Sequence, residues 1–193
     1  MIKAIIFDCF GVLVTESWLA FKEEHFGHDK ALSQEAADLM QQADAGLISH
    51  EDFVGQVADM AGMSSAEVNS ILDRNVPNAT LFDFIEKELK PHYKVGMLSN
   101  AAADWLEELF SKQQLGLFDA IALSYESGIA KPDERAYYQI AEKLGVEPEE
   151  CVFVDDQERH CTGAQDAGMR AVLYTSVKDL KRQLQVLTQQ EQG

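Results

Sequence analysis

Basic residues, cysteines and long apolar runs are all scarce in this chain of 193 residues. It has 16 Lys and Arg residues against 33 Asp and Glu residues, which gives a formal net charge of −17. Such a surface repels nucleic acid and anionic membranes, so we expect neither as a partner. The apolar stretch at the N-terminus is interrupted by Lys3 and Asp8 and is too short to span a bilayer. Any bound anion must therefore be held locally by backbone amides, a lysine or a metal ion.

The three cysteines, Cys9, Cys151 and Cys161, form no close pair and have no zinc-ligand spacing. Cys9 and Cys151 lie in or beside apolar segments, where packing in the core is the expected role. An odd number of cysteines without a signal peptide favours the reducing cytosol, so we expect a cytoplasmic protein. The sequence leaves the oligomeric state open.

The chain has two kinds of local pattern. From Ser17 to about Leu89, apolar residues recur at helical spacing, and capping-box patterns begin at Ser49 and Ser64. From Tyr93 onward, short apolar strands alternate with helices. We expect strands at 94–98, 120–123, 151–154 and 171–174, and helices at 102–110, 134–144 and 163–167. This alternation predicts an α/β fold with a doubly wound parallel sheet.

A further strand at the N-terminus, ending at Asp8, belongs to the same predicted sheet. The helical segment is then an insertion between the first and second strands. We therefore expect a Rossmann-like core formed by residues 1–14 and 90–193, and a helical cap formed by residues 15–89.

Polar side chains follow the predicted strands at their carboxyl ends, where ligands bind in open α/β sheets. They are Asp8, Ser99 with Asn100, Lys131 (shortly after the third strand), and Asp155 with Asp156. Adjacent carboxylates repel each other unless a cation lies between them, and an all-oxygen ligand set suits Mg²⁺. Ser99 and Lys131 can hold the oxygens of a phosphoryl group. Together with Asp8 as a nucleophile, this set predicts phosphoryl transfer.

The same segments resemble a known family. Phe7-Asp-Cys-Phe-Gly-Val-Leu13, Leu98-Ser-Asn100, Ala130-Lys-Pro132 and Val154-Asp-Asp156 are similar, in this order, to the four signature motifs of the haloacid dehalogenase superfamily. The helical insertion resembles the type-1 cap of many of its phosphatases. The resemblance implies that Asp8 and Lys131 are catalytic, and that Ser99, Asn100 and Phe10 are near the substrate. It places Mg²⁺ at Asp8, Phe10, Asp155 and Asp156, and implies a small phosphorylated substrate.

Two positions depart from the phosphatase pattern. Phe10 stands where these phosphatases usually carry a second Asp as general acid and base, and dehalogenases of the family also lack that acid. The doubled acid at Asp155-Asp156 argues against a dehalogenase. So does the lack of an early cap arginine for the halide, since Arg74 is the only one between residues 14 and 89. His160 stands where many phosphatases have a further acid, and a histidine at a helix start is expected at the surface.

The sequence therefore predicts a magnesium-dependent phosphatase that forms an aspartyl phosphate at Asp8. A 2-haloacid dehalogenase using the same nucleophile is one alternative, and a protein that binds a phosphorylated ligand without turnover is another. Because Phe10 cannot donate a proton, we expect aryl and acyl phosphates to be better substrates than alkyl phosphates, unless His160 or a cap residue supplies the proton. Candidates for lining the pocket are Trp18, Phe21, Lys22 and His25.

Overall fold

The computed structural model describes residues 1–44, 46–101 and 106–189, and its centre is a five-stranded parallel sheet. The strands are β1 (Ala4–Phe7), β2 (Lys94–Ser99), β3 (Ala120–Leu123), β4 (Cys151–Asp155) and β5 (Arg170–Leu173), arranged in the order β3-β2-β1-β4-β5. Every residue of β1 is buried, as expected for a parallel strand that is covered on both faces. The predicted α/β fold is confirmed.

The register of the sheet brings the carboxyl ends of its strands to one edge. Phe7 pairs with Met97 on one side and with Val154 on the other. Asp8, the residues after β2 and the residues after β4 therefore leave the sheet side by side. The strand order also reverses direction at β1, which is where α/β sheets open a crevice for ligands.

Helices surround the sheet and form the insertion. They are α1 (Ser17–Phe26), α2 (Lys30–Asp44), α3 (His50–Ala61), α4 (Ser65–Leu72), α5 (Ala79–Phe84), α6 (Leu106–Leu109), α7 (Lys112–Leu115), α8 (Ser124–Ser127), α9 (Glu134–Leu144), α10 (Glu158–Asp166) and α11 (Val177–Gln189), with a π-helical turn at Ile85–Leu89 and a 3₁₀ turn at Pro148–Glu150. In the described part of the chain, no helix has both the length and the apolar character needed to cross a bilayer.

The predicted strands are correct to within one residue at each end, and α9 has the predicted bounds. The predicted helix at 102–110 is seen as α6, and its first four residues lie outside the described ranges. The prediction for α10 was wrong at its start, because Gly163 lies inside the helix. A Cβ atom at Gly163 would lie 2.6 Å from the carbonyl oxygen of Pro132, so this glycine serves close packing rather than helix initiation.

The first four helices have a hydrophobic cluster of their own. Phe53, Val57 and Val68 are buried in it, as the helical spacing predicted, and the capping boxes at Ser49 and Ser64 are both formed. Trp18 and Phe21 belong to the same cluster, with ring centroids 6.1 Å apart. The expectation that these two residues line the pocket was therefore wrong, since they pack among the helices of the insertion.

The chain enters and leaves this helical region through two adjacent segments. The amide of Thr15 donates to Val76 O at 3.0 Å, and the amide of Asn78 donates to Leu13 O at 2.8 Å. Beyond Asn78, α5 and the π-helical turn bury their apolar side chains in the cluster that contains β1 and β2. The division of the domains at residue 89 stays a prediction, and this packing favours an insertion that ends before Asn78.

Candidate active site

A buried lysine joins two of the predicted acids. Lys131 Nζ donates to Asp8 Oδ1 at 2.6 Å and to Asp155 Oδ2 at 2.8 Å. All three residues are buried, with Lys131 only 4% exposed. Burial by itself lowers the pKa of Lys131, but Asp155 and Asp8 more than offset this effect and raise the pKa above its usual value. Lys131 is therefore a fixed positive charge beside Asp8.

Asn100 holds the backbone of Lys131 in place. Its Oδ1 accepts from the Lys131 amide at 2.8 Å, and its Nδ2 donates to the Lys131 carbonyl at 3.1 Å. These two bonds connect the loop after β3 to the end of β2. Ser99 is buried beside it and donates from Oγ to Asn100 O at 3.2 Å. The contacts of Asn100 make it an orienting residue for Lys131, and direct substrate binding by Ser99 and Asn100 stays a prediction.

His160 is not at the surface, so that expectation was wrong. It is 3% exposed, and its Nδ1 lies 3.1 Å from both carboxylate oxygens of Asp155. The first turn of α10 brings it behind β4, where Tyr137 donates to its backbone carbonyl at 2.7 Å. Burial lowers the pKa of His160, although its bond to Asp155 acts in the opposite direction. A neutral His160 therefore supports Asp155, which in turn holds Lys131.

Asp156 differs from Asp155 because one of its oxygens has no partner. Within the described residues, Asp156 Oδ1 is buried and makes no hydrogen bond. Burial and the neighbouring Asp155 raise the pKa of Asp156 to about 6. Its carboxylate packs against the backbone of Gly11, where a Cβ atom would lie 2.2 Å from Asp156 Oδ2. An unpartnered buried carboxylate oxygen at this edge of the sheet is an available ligand for a cation.

The acids at this edge fit a hard divalent cation. Oxygen and nitrogen atoms of Asp8, Asp155 and His160 lie within 4.8 Å of one another. However, both oxygens of Asp155 already accept hydrogen bonds, so Asp8 and the free oxygen of Asp156 are the better ligands. Burial raises the pKa of Asp8 well above its usual value, and the Lys131 charge only partly counters this effect. Phe10 can offer a metal only its backbone carbonyl oxygen, because its ring has no ligand atom.

Two acids of the insertion lie near this site, and sequence reasoning missed both. Glu16 immediately precedes α1, and its Oε2 is buried without a partner in the described structure. Burial and the nearby Asp156 raise the pKa of Glu16 to about 7. Asp44 is the last residue of α2, and burial raises its pKa to about 6 although Lys131 and Arg159 act in the opposite direction. In the sequence these two acids are marked only by position, because Glu16 stands just before the first cap helix and Asp44 at the end of the second.

The contact between Gly11 and Asp156 can be tested by substitution. Gly11 has a φ of +83°, which costs an L-residue about 1–2 kcal/mol, and the new methyl group would also displace the Asp156 carboxylate. Gly62→Ala is the matched control, since Gly62 has a φ of +67° and open space around it. We expect Gly11→Ala to lose more stability than the control in urea unfolding, by about 1–3 kcal/mol, together with its hydrolase activity. Equal losses in the two variants would contradict the contact.

The sheet order and the buried lysine beside acids at the carboxyl edge define a doubly wound α/β protein with an acidic site. The family model that describes haloacid dehalogenase-like hydrolases matches residues 2–168 of the sequence, and the chain belongs to this family. The resemblance that the motifs indicated is thereby confirmed.

The proteins that this chain resembles include one named as a phosphatase and one named as a dehalogenase. A protein named phosphatase MT3486, from Mycobacterium tuberculosis, is 40% identical over 46% of this chain and 42% of its own length. The chain matches less than half the length of the first curated relatives. A haloacid dehalogenase family enzyme from Bacteroides thetaiotaomicron, solved with magnesium and inorganic phosphate, has a TM-score of 0.70, 26% identity and coverage of 92% of this chain and 96% of its own. The L-2-haloacid dehalogenase of Xanthobacter autotrophicus has a TM-score of 0.68, 25% identity and coverage of 95% and 82%.

Proposed function

We propose that this hydrolase is a magnesium-dependent phosphatase of a small phosphorylated metabolite, with Asp8 as its nucleophile. The observation that carries the proposal is the buried Lys131 bridge between Asp8 and Asp155, beside the unpartnered oxygen of Asp156. Phosphoryl transfer needs a nucleophile and positive charge beside the transferring group. Asp8 is the nucleophile, Lys131 supplies one positive charge, and the free oxygen of Asp156 can bind a metal ion that supplies more.

In the proposed reaction, an Asp8 oxygen attacks phosphorus, the bond to the leaving oxygen breaks, and water then cleaves the aspartyl phosphate. Lys131 balances negative charge on the transferring group, and it needs no reorganisation because Asn100 and Asp155 already orient it. Mg²⁺, when bound by Asp8, Asp156 and the Phe10 carbonyl, supplies further neutralising charge. Ser99 holds a phosphoryl oxygen at the end of β2.

The position of Arg74 favours this chemistry over dehalogenation. It is the only arginine between residues 14 and 89, and it is exposed at the end of the insertion, where its Nε donates to Ser70 O at 3.0 Å. It therefore does not supply a halide site next to Asp8. The phosphatase name of one relative, and the magnesium and phosphate bound in another, also support the proposal.

The proposal is tested by following two products from the same enzyme. With Mg²⁺ present, we expect phosphate release from members of a panel of phosphorylated metabolites, acetyl phosphate and p-nitrophenyl phosphate. We expect no chloride release from 2-chloropropionate above the buffer rate. Chloride release faster than any phosphate release would establish the dehalogenase alternative. Saturable phosphate binding without turnover of any ester would establish the binding protein.

A further inference from the structure

The hydroxyl group of Ser124 connects the end of α2, in the insertion, to the segment that follows β2. Ser124 is buried at the start of α8, and its Oγ accepts from the Ala101 amide at 2.8 Å. The same Oγ lies 2.9 Å from Asp44 O and 3.1 Å from Ala101 O. A hydroxyl has one proton to donate, so the shorter contact favours Asp44. Ala101 follows Asn100, and the end of α2 is thereby tied to the segment that holds Lys131.

This anchor holds the end of α2, with Asp44, beside the segment that carries Asn100. The charged groups that act on the Asp44 carboxyl group are Lys131 from the core and Arg159 from α10, with Glu16 as the neighbouring acid of the insertion. Lys131 is buried and bonded to Asp8, so the charge that acts on Asp44 belongs to the site of the proposed nucleophile. Within the described residues, the Asp44 carboxyl group makes no hydrogen bond.

His160 and Glu16 are the other candidates for the general acid that Phe10 replaces, and their surroundings suit that role less well than those of Asp44. His160 Nδ1 lies 3.1 Å from both Asp155 oxygens, and His160 Nε2 is buried without a partner in the described structure. Since burial lowers the pKa of His160, the ring is neutral, and with its one proton on Nδ1 it has none on Nε2 to donate. The core residues that act on the pKa of Glu16 are the acids Asp156 and Asp155, whereas Lys131 acts on the pKa of Asp44. In an in-line displacement the leaving group lies opposite the nucleophile, so its proton must come from a residue outside the sheet edge that carries Asp8.

We propose that Asp44 is the general acid and base that Phe10 cannot be, and that Ser124 positions it through the bond to its carbonyl. This inference rests on the proposed phosphatase function. As Asp8 forms its bond to phosphorus and the bond to the leaving oxygen breaks, the Asp44 carboxyl gives its proton to that oxygen. Asp44, now a carboxylate, takes a proton from the water that attacks the aspartyl phosphate. Alcohol and inorganic phosphate leave, and both carboxyl groups return to their starting states.

The test compares substrates that differ in their need for a proton. We expect Asp44→Asn to slow hydrolysis of glycerol phosphate, an alkyl ester, by about a hundred- to ten-thousand-fold. Hydrolysis of p-nitrophenyl phosphate and acetyl phosphate should change little, because their leaving groups depart without protonation. Asp59→Asn, at an exposed position of α3, is the matched control and should leave all three rates unchanged. Circular dichroism should show that both variants are folded.

The pH profile gives a second readout that a structural role would not change. The donor must be protonated, and the pKa of Asp44 is raised to about 6. The wild-type rate on glycerol phosphate should therefore fall as pH rises above about 6, and this fall should be absent in Asp44→Asn. Equal loss on all three substrates, or no loss on any, would overturn the role of Asp44 while leaving the phosphatase function standing. A wild type that hydrolyses none of the three would overturn both.

Discussion

Asp8→Asn is expected to reduce phosphate release to the buffer rate without unfolding the protein. The amide has the shape of the carboxylate but cannot attack phosphorus, so no aspartyl phosphate can form. In the variant, the backbone N–H of residue 8 still donates to Val154 O, a bond of 2.9 Å in the wild type. Lys131 also keeps its second partner, Asp155. Burial disfavours the charged form of Asp8, so the neutral variant should be at least as stable as the wild type. Steady-state phosphate release and thermal unfolding measure the two effects.

Asp119→Asn is the matched control for this variant. Asp119 also pairs with a lysine, Lys90, at 2.7 Å, and it accepts from the Val95 amide at 2.7 Å, at the opposite end of β2 from the site. The control should lose some stability and keep its activity. Turnover by Asp8→Asn at a rate near that of the wild type would exclude Asp8 as the nucleophile. Hydrolysis would then have to proceed by direct attack of water.

The part of the fold that the sequence predicts best is the sheet. Strands β1 and β4 are runs of buried residues, and each leads to an acid of the site, since Asp8 follows β1 and Asp155 ends β4. The parallel pairing of β1 with β4 brings these two acids to one edge, as the topology rule predicts, and Lys131 meets Asp8 there from the segment after α8.

The failures occurred where packing between elements decides the result. His160 is polar and near a helix start, and only the closeness of α10 to β4 buries it. Gly163 was predicted as the first residue of a helix, but it lies inside α10 and allows that helix to approach Pro132. The end of α2 lies beside the segment after β2 through Ser124, which is distant in the sequence and binds the Asp44 carbonyl. None of these contacts has a periodic or short-range signal, so no single-sequence argument could have placed them.

Removal of divalent cations is expected to abolish turnover, and added Mg²⁺ should restore it. Among the described residues and without a metal, Lys131 is the only cation bonded to Asp8 and Asp155, and Asp156 has a buried oxygen without a partner. Burial and the neighbouring carboxylates raise the pKa of Asp8 and Asp156, and the negative charge of the group repels a phosphate dianion. Turnover in EDTA, compared with turnover after Mg²⁺ is returned, measures the dependence. An unchanged rate in EDTA would exclude the metal and favour the dehalogenase alternative.

The metal should also act on the folded protein in the absence of any substrate. A ligand that binds only the native state at a hundred times its dissociation constant adds about 2.7 kcal/mol of stability, so Mg²⁺ should raise the melting temperature. Asp156→Asn removes the available carboxylate and should lose most of this increase, together with most activity. Asp166→Asn, at the exposed end of α10, should keep both. If Mg²⁺ stabilised Asp156→Asn as much as the wild type, the ion would be bound elsewhere, and the unpartnered oxygen of Asp156 would need another explanation.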